Sequence, residues 1–152
     1  MQRRLERLRK RQADSLGFLL IRCGQLWNER GISQVNAEAG RPVLREAHTK
    51  LLPYLQAPTG IRITALAEHV GVTKQAVQPL VAELARQGLV RVEPDPDDAR
   101  ARRVALTAAG VEAMLHGTGV LERIERDVAP ALGKAELEAL KRSLRRLLAV
   151  LE

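Results

Sequence analysis

Residues 63–84 read ITALAEHVGVTKQAVQPLVAEL, two short helical patterns that meet at a glycine. Ile63, Leu66, Ala67 and Val70 recur at three- and four-residue steps, which gives a short helix one buried face. Gly71 supplies a turn in which a positive φ is cheap, and small Ala67 lets a second helix approach closely. Thr73 is a good N-cap for that second helix, and Val77, Leu80, Val81 and Leu84 at i, i+3, i+4 and i+7 anchor it. Its opposite face carries Lys74, Gln75 and Gln78 in the first turns, and these, with Thr73 at the cap and Arg62 just ahead of the first helix, are the expected DNA contacts of the motif. Glutamine amides match adenine edges, and lysine matches guanine or phosphate. Pro79 interrupts the pattern. A proline removes one intrahelical hydrogen bond, so the sequence predicts a kink at residues 75–78 or an irregular first turn.

The residues after Gly88 narrow the fold. LVRVE alternates apolar and polar residues, PDPDD is rich in turn formers, and RRVAL at residues 102–106 alternates again. This is a β-hairpin directly after a recognition helix, with Arg100 near its tip, Arg102 on the returning strand, and Thr107 as cap of the next helix. An arginine at such a tip suits a narrow minor groove. Asp95, Asp97 and Asp98 would repel phosphates unless held back, and Asp98 is expected to aim Arg100 or a neighbouring arginine forward.

The stretch GLVRVEPDPDDARARRVALTAAG, residues 88–110, resembles the wing of MarR-family winged helix-turn-helix regulators, including their Asp-x-Arg signature at Asp98 and Arg100. The resemblance covers residues 63–110 closely and the flanking helices in layout only. It implies that Asp98 orients the wing, that Arg100 contacts DNA, that the terminal helices dimerise, and that a cleft beside them takes a small-molecule effector. Pro79 departs from the basic residue common at its place in that family.

The flanks are helical. Leu5, Leu8, Leu16, Leu19, Leu20, Cys23, Leu26 and Trp27 predict an amphipathic helix ending near Gly31, and a second helix is expected over residues 41–55, closed by Pro58 and Gly60. Gly117 and Gly119 predict a bend or break in the helix that begins near Ala108. Leu137, Leu140, Leu144, Leu147 and Leu151 step by three and four, a coiled-coil-like seam that a chain of 152 residues is expected to bury against a second copy, with packing between the two terminal helices as the rival. The expected architecture is therefore mostly α with a small β-hairpin wing in one domain over residues 1–152. Residues 61–107 form the winged helix-turn-helix, and residues 1–31 and 108–152 the helical dimerisation region.

Charge supports a polyanionic partner only in part. Of the net +7, +5 sits in residues 1–11, where six basic side chains face Glu6. One cysteine excludes an internal disulfide, no Cys/His cluster has metal spacing, and no apolar run is long enough to span a membrane, so a cytoplasmic location is expected. Cys23 reads as structural, because it lies on an apolar face. Glu112 and His116 share a helical face but lack a third ligand, and Phe18, Trp27 and Tyr54 read as core. No catalytic pair, phosphate loop or cofactor motif is present, so no enzymatic activity is expected. The expectation is a DNA-binding regulator, most simply a repressor, that acts as a homodimer on pseudo-palindromic duplex sites. A winged-helix protein-interaction module is the alternative.

Overall fold

The computed structural model describes residues 1–55, 59–98 and 100–151. In chain order it has α1 (Gln2–Ala13), α2 (Leu16–Glu38), α3 (Glu46–Thr49), a 3-10 turn (Leu52–Tyr54), β1 (Ile61–Arg62), α4 (Ile63–Val70), α5 (Lys74–Arg86), β2 (Val90–Pro94), β3 (Arg102–Leu106), α6 (Ala108–Leu132) and α7 (Lys134–Leu151). The strands form one antiparallel sheet in the order β1-β3-β2, with Val92 opposite Val104 and Ile61 opposite Val104 on the other side.

The core lies under the helix-turn-helix. Leu66 and Ala67 of α4 meet Val77, Val81 and Leu84 of α5, and Leu51, Leu55, Val90 and Val104 close the cluster from the 3-10 segment and the sheet. Gly71 ends α4 at φ 72°, the left-handed value that its lack of a Cβ permits. Gly110 meets a different demand. A Cβ there would lie 1.9 Å from the Leu89 carbonyl oxygen, so only glycine lets α6 cross the start of β2.

Three expectations for the flanks are corrected. The first helix breaks early and ends late: Ser15 caps α2 by accepting from Phe18 N–H at 3.4 Å, and α2 runs through Gly31 to Glu38. Gly31 is buried against α6, where its hydrogen stands in for a Cβ that would lie 3.1 Å from Leu121. A local helix breaker has become a close-packing point. Residues 41–45 are not helical, and only Glu46–Thr49 and the Leu52–Tyr54 turn wind. Asn36 explains this, because its Oδ1 accepts from Val43 N–H and Leu44 N–H, both at 2.9 Å, while its Nδ2 donates to the Leu44 carbonyl. Backbone groups spent on a side chain cannot build a helix turn. Pro58 lies outside the described residues. Finally, α6 is continuous over Ala108–Leu132, so no break occurs at Gly117 and Gly119.

The terminal helices are barely covered. No residue of α1 or α7 is buried, and Leu16 and Leu151 are 62% and 73% exposed. The protomer exposes 11164 Å², whereas a compact monomer of 16.8 kDa would expose about 7,700 Å². No helix among the described residues is long and apolar enough to cross a membrane.

Candidate nucleic-acid interface

The second helix of the motif starts cleanly. Thr73 Oγ1 accepts from Ala76 N–H at 3.2 Å, and the Thr73 carbonyl accepts from Val77 N–H, so the first turn of α5 is regular. The helix is continuous through Pro79, so the expected irregularity does not lie in its first turn. Pro79 is exposed, so water can hydrate the Gln75 carbonyl that loses its helical donor. With Val77, Val81 and Leu84 buried, Lys74, Gln75 and Gln78 stand exposed on the opposite face. Among the described residues none of the three forms a side-chain hydrogen bond or ion pair, which leaves their polar groups open to solvent.

The wing is built around a carboxylate that the sequence alone presents as repulsive. Asp95 is 2% exposed, and its carboxylate receives Arg62 Nε at 2.8 Å, Arg62 Nη2 at 2.9 Å, Arg103 Nη1 at 3.3 Å and Asp97 N–H at 3.0 Å. The Arg62 hydrogen bonds above all, with the Asp97 N–H and both guanidinium charges, hold the Asp95 carboxyl far below the usual carboxylate range against its burial, and Arg62 is raised in turn. Arg103 extends the clamp to Gly60 O at 2.8 Å and Thr59 O at 3.1 Å, tying the wing to the segment before β1. Arg62, expected as a DNA contact, is thus committed mainly to the wing, with its side chain 42% exposed.

Asp98 acts on the backbone. Its Oδ1 accepts from Arg100 N–H at 3.0 Å and its carbonyl from Ala101 N–H at 2.9 Å, fixing a tight turn. The arginine-holding carboxylate is Asp95, not Asp98. Arg100 and Arg102 are exposed, and among the described residues their guanidinium groups have no partner. Local sequence carried no sign of the Asp95 clamp, since Arg62 lies 33 residues away.

Behind the motif, α3 touches α5. His48 is 1% exposed; its Nδ1 accepts from Arg45 N–H at 3.3 Å and its Nε2 faces Glu83 Oε2 at 3.1 Å. Arg45 also binds Glu83 through its guanidinium. Burial chiefly, then the Arg45 charge, lowers the His48 pKa against the opposing pull of Glu83, and the Arg45 hydrogen bond lowers that of Glu83. Above this contact lies a cavity of about 420 Å³ between α2, α6 and the winged region.

Of the residues expected to dimerise, Leu5, Leu8, Leu16, Leu19, Leu140, Leu144 and Leu151 are exposed, while Leu137 and Leu147 are half-buried. Cys23 is exposed as well, because the apolar face of α2 that carries it is uncovered within one protomer. The aromatic expectation also changes. Phe18 is exposed, Trp27 is half-buried, and Tyr54 stacks on His69 with ring centroids 5.0 Å apart. His116 pairs with Glu38 rather than with Glu112, and no metal-ligating group of three occurs among the described residues.

A helix-turn-helix followed at once by a β-hairpin defines a winged-helix protein. Residues 52–101 match the model of the MarR family. The transcriptional activatory protein BadR of Rhodopseudomonas palustris is 32% identical over 101 residues, covering 64% of this chain and 55% of BadR. The transcriptional regulator HosA of Escherichia coli O111:H- is 30% identical over 89 residues, covering 59% of this chain and 66% of HosA. The family match and both relatives support a MarR-family winged-helix regulator. It matches about half of BadR and about two thirds of HosA in length. The solved structure of the transcriptional repressor CouR bound to a 23-mer DNA duplex superposes with a TM-score of 0.68 at 24% identity, over 90% of this chain and 94% of CouR, a likeness of fold. Both curated relatives are regulators by name, not enzymes.

Proposed function

We propose that this chain regulates transcription as a homodimer that binds pseudo-palindromic double-stranded DNA, most simply as a repressor. The observation that carries this reading is the pairing of two unengaged surfaces: Lys74, Gln75 and Gln78 on the first turns of α5, and Arg100 and Arg102 on a wing whose buried Asp95 carboxylate is already paired with Arg62 and Arg103. The helix supplies groups for major-groove edges, and the wing supplies cations for the adjacent backbone or minor groove.

Dimerisation is supported by surface arithmetic. The protomer exposes about 3,500 Å² more than a compact monomer of its mass, against the roughly 800 Å² per partner of a standard interface. The uncovered leucines of α1, α2 and α7 make residues 1–38 and 108–151 the region that a second copy would cover. A two-fold protein imposes a two-fold site. The polar outer face of α5 favours DNA over a protein-docking role for the motif. The cavity behind α5 suits a small-molecule effector, with the Arg45 and His48 contacts to Glu83 linking its α3 wall to the recognition helix. Selection of bound duplexes from random-sequence DNA by the purified chain tests the reading. Two-fold symmetric sites are expected; selection that enriches no sequence would overturn it.

A further inference from the structure

The cavity between α2, α6 and the winged region has an unusual inventory of polar groups, and we infer that it takes a neutral lipophilic molecule bearing a hydroxyl or N–H donor, and discriminates against carboxylates. This inference rests on the effector reading above for its regulatory meaning, but the ligand class follows from the walls alone. Among the described residues no Lys, Arg, His, Asp or Glu lines the cavity. Its polar side chains are Asn28, Thr49 and Thr118.

Their hydrogens are largely spent. Thr49 Oγ1 donates to the Glu46 carbonyl at 2.8 Å, Thr118 Oγ1 donates to the Met114 carbonyl at 3.0 Å, and Asn28 Nδ2 donates to Thr49 Oγ1 at 3.1 Å. What those groups retain is mostly acceptor capacity: lone pairs on both threonine oxygens and the Asn28 carbonyl, against one remaining Asn28 N–H. Several backbone donors in the walls are engaged too. Val43 and Leu44 N–H go to Asn36, Thr49 N–H to Arg45 O, Leu55 N–H to Leu52 O, and Leu89 N–H to Leu84 O. An ionised carboxylate only accepts hydrogen bonds, so it would enter this space with the remaining Asn28 N–H as its one side-chain donor and without a counter-charge. A hydroxyl or amide N–H instead meets acceptors, while an apolar body meets Ile32, Val35, Leu52 and Leu121. A volume of about 420 Å³ accommodates a two- or three-ring molecule.

Gly117 gives direct access to the question. It lines the cavity, and a Cβ built there meets no atom within 4 Å, so a larger side chain extends into the open space rather than into the fold. The test is calorimetric titration of the whole 152-residue chain with biphenyl-4-ol and with biphenyl-4-carboxylate at neutral pH, for the native chain and for Gly117→Leu and Ala113→Leu. The inference expects the phenol to bind at least tenfold more tightly than the carboxylate and both cavity-filling variants to weaken it at least tenfold. Equal or tighter carboxylate binding that the variants abolish would overturn the ligand class while keeping the cavity as a binding site. Binding of neither probe, or binding indifferent to both variants, would overturn the site itself. Phenol binding that leaves affinity for a selected DNA duplex unchanged would uphold the ligand class and refute the effector reading.

Discussion

Replacing either of two glycines of α6 by alanine should move stability in opposite directions. At Gly110 an added Cβ would sit 1.9 Å from the Leu89 carbonyl oxygen and 2.9 Å from its carbon, both backbone atoms that no side-chain rotation can move. Reaching an ordinary contact of 3.4 Å requires β2 and α6 to separate by about 1.5 Å. That movement strains two hydrogen bonds at the junction: Thr107 N–H to Leu89 O at 3.1 Å, and the cap from Gly110 N–H to Thr107 Oγ1 at 3.0 Å. Overpacking costs about 1–3 kcal/mol, and the cap and the junction bond add about 1 kcal/mol each. Alanine's better helix propensity returns about 1 kcal/mol, leaving a net loss of about 2–4 kcal/mol. Gly117→Ala meets no atom within 4 Å and should gain about 0.5–1 kcal/mol from propensity alone. Thermal melting at one fixed protein concentration reads both, with a drop of roughly 5–15 °C for Gly110→Ala and a rise of a few degrees for Gly117→Ala. A neutral or stabilising Gly110→Ala would refute the close approach of α6 to the wing.

Arg100→Ala should leave melting unchanged, because the side chain is exposed, yet weaken binding to a selected site by about 1–3 kcal/mol; undiminished binding would remove the wing from the interface. Pro79→Ala restores a donor to the Gln75 carbonyl in an exposed helix interior and should stabilise by about 1–3 kcal/mol in chemical denaturation, where a loss would show that α5 depends on the proline. His48 is held neutral in the fold, with its pKa below the ordinary value of 6.5, so the unfolded chain binds the extra proton. Its contribution is therefore complete above that pH and is lost as pH falls through the lowered folded value. Melting measured from pH 7.5 to 5 should decline for the native chain and decline less for His48→Gln; parallel curves would mean that His48 does not carry the slope.

The parts legible in sequence are those set by near neighbours. The spacing of Leu66, Val77, Val81 and Leu84 and the turn at Gly71 define the helix-turn-helix from within 22 residues, and the alternation around residues 95–98 defines the wing. The misread parts are governed by distant partners. Gly31 stays helical because Leu121 packs on it, residues 41–45 stay extended because Asn36 captures their backbone, and Asp95 turns from a surface charge into a buried anchor because Arg62 and Arg103 reach it. Cys23 and the leucines of α1, α2 and α7 occupy apolar positions by periodicity, but one protomer leaves most of them uncovered. The cavity and its shortage of donors depend on which hydrogens the fold spends, and periodicity carries no record of that.

Two copies of this chain are proposed to read one duplex through α5 and the wing. That proposal is met most directly by titrating the purified chain into a selected duplex and a scrambled one across a salt series, with stoichiometry read in the same experiment. Two chains per selected duplex are expected, with an affinity that falls linearly with the logarithm of salt and a slope reduced by about one unit in Arg100→Ala. One chain per duplex, or equal affinity for both duplexes at every salt concentration, would contradict it.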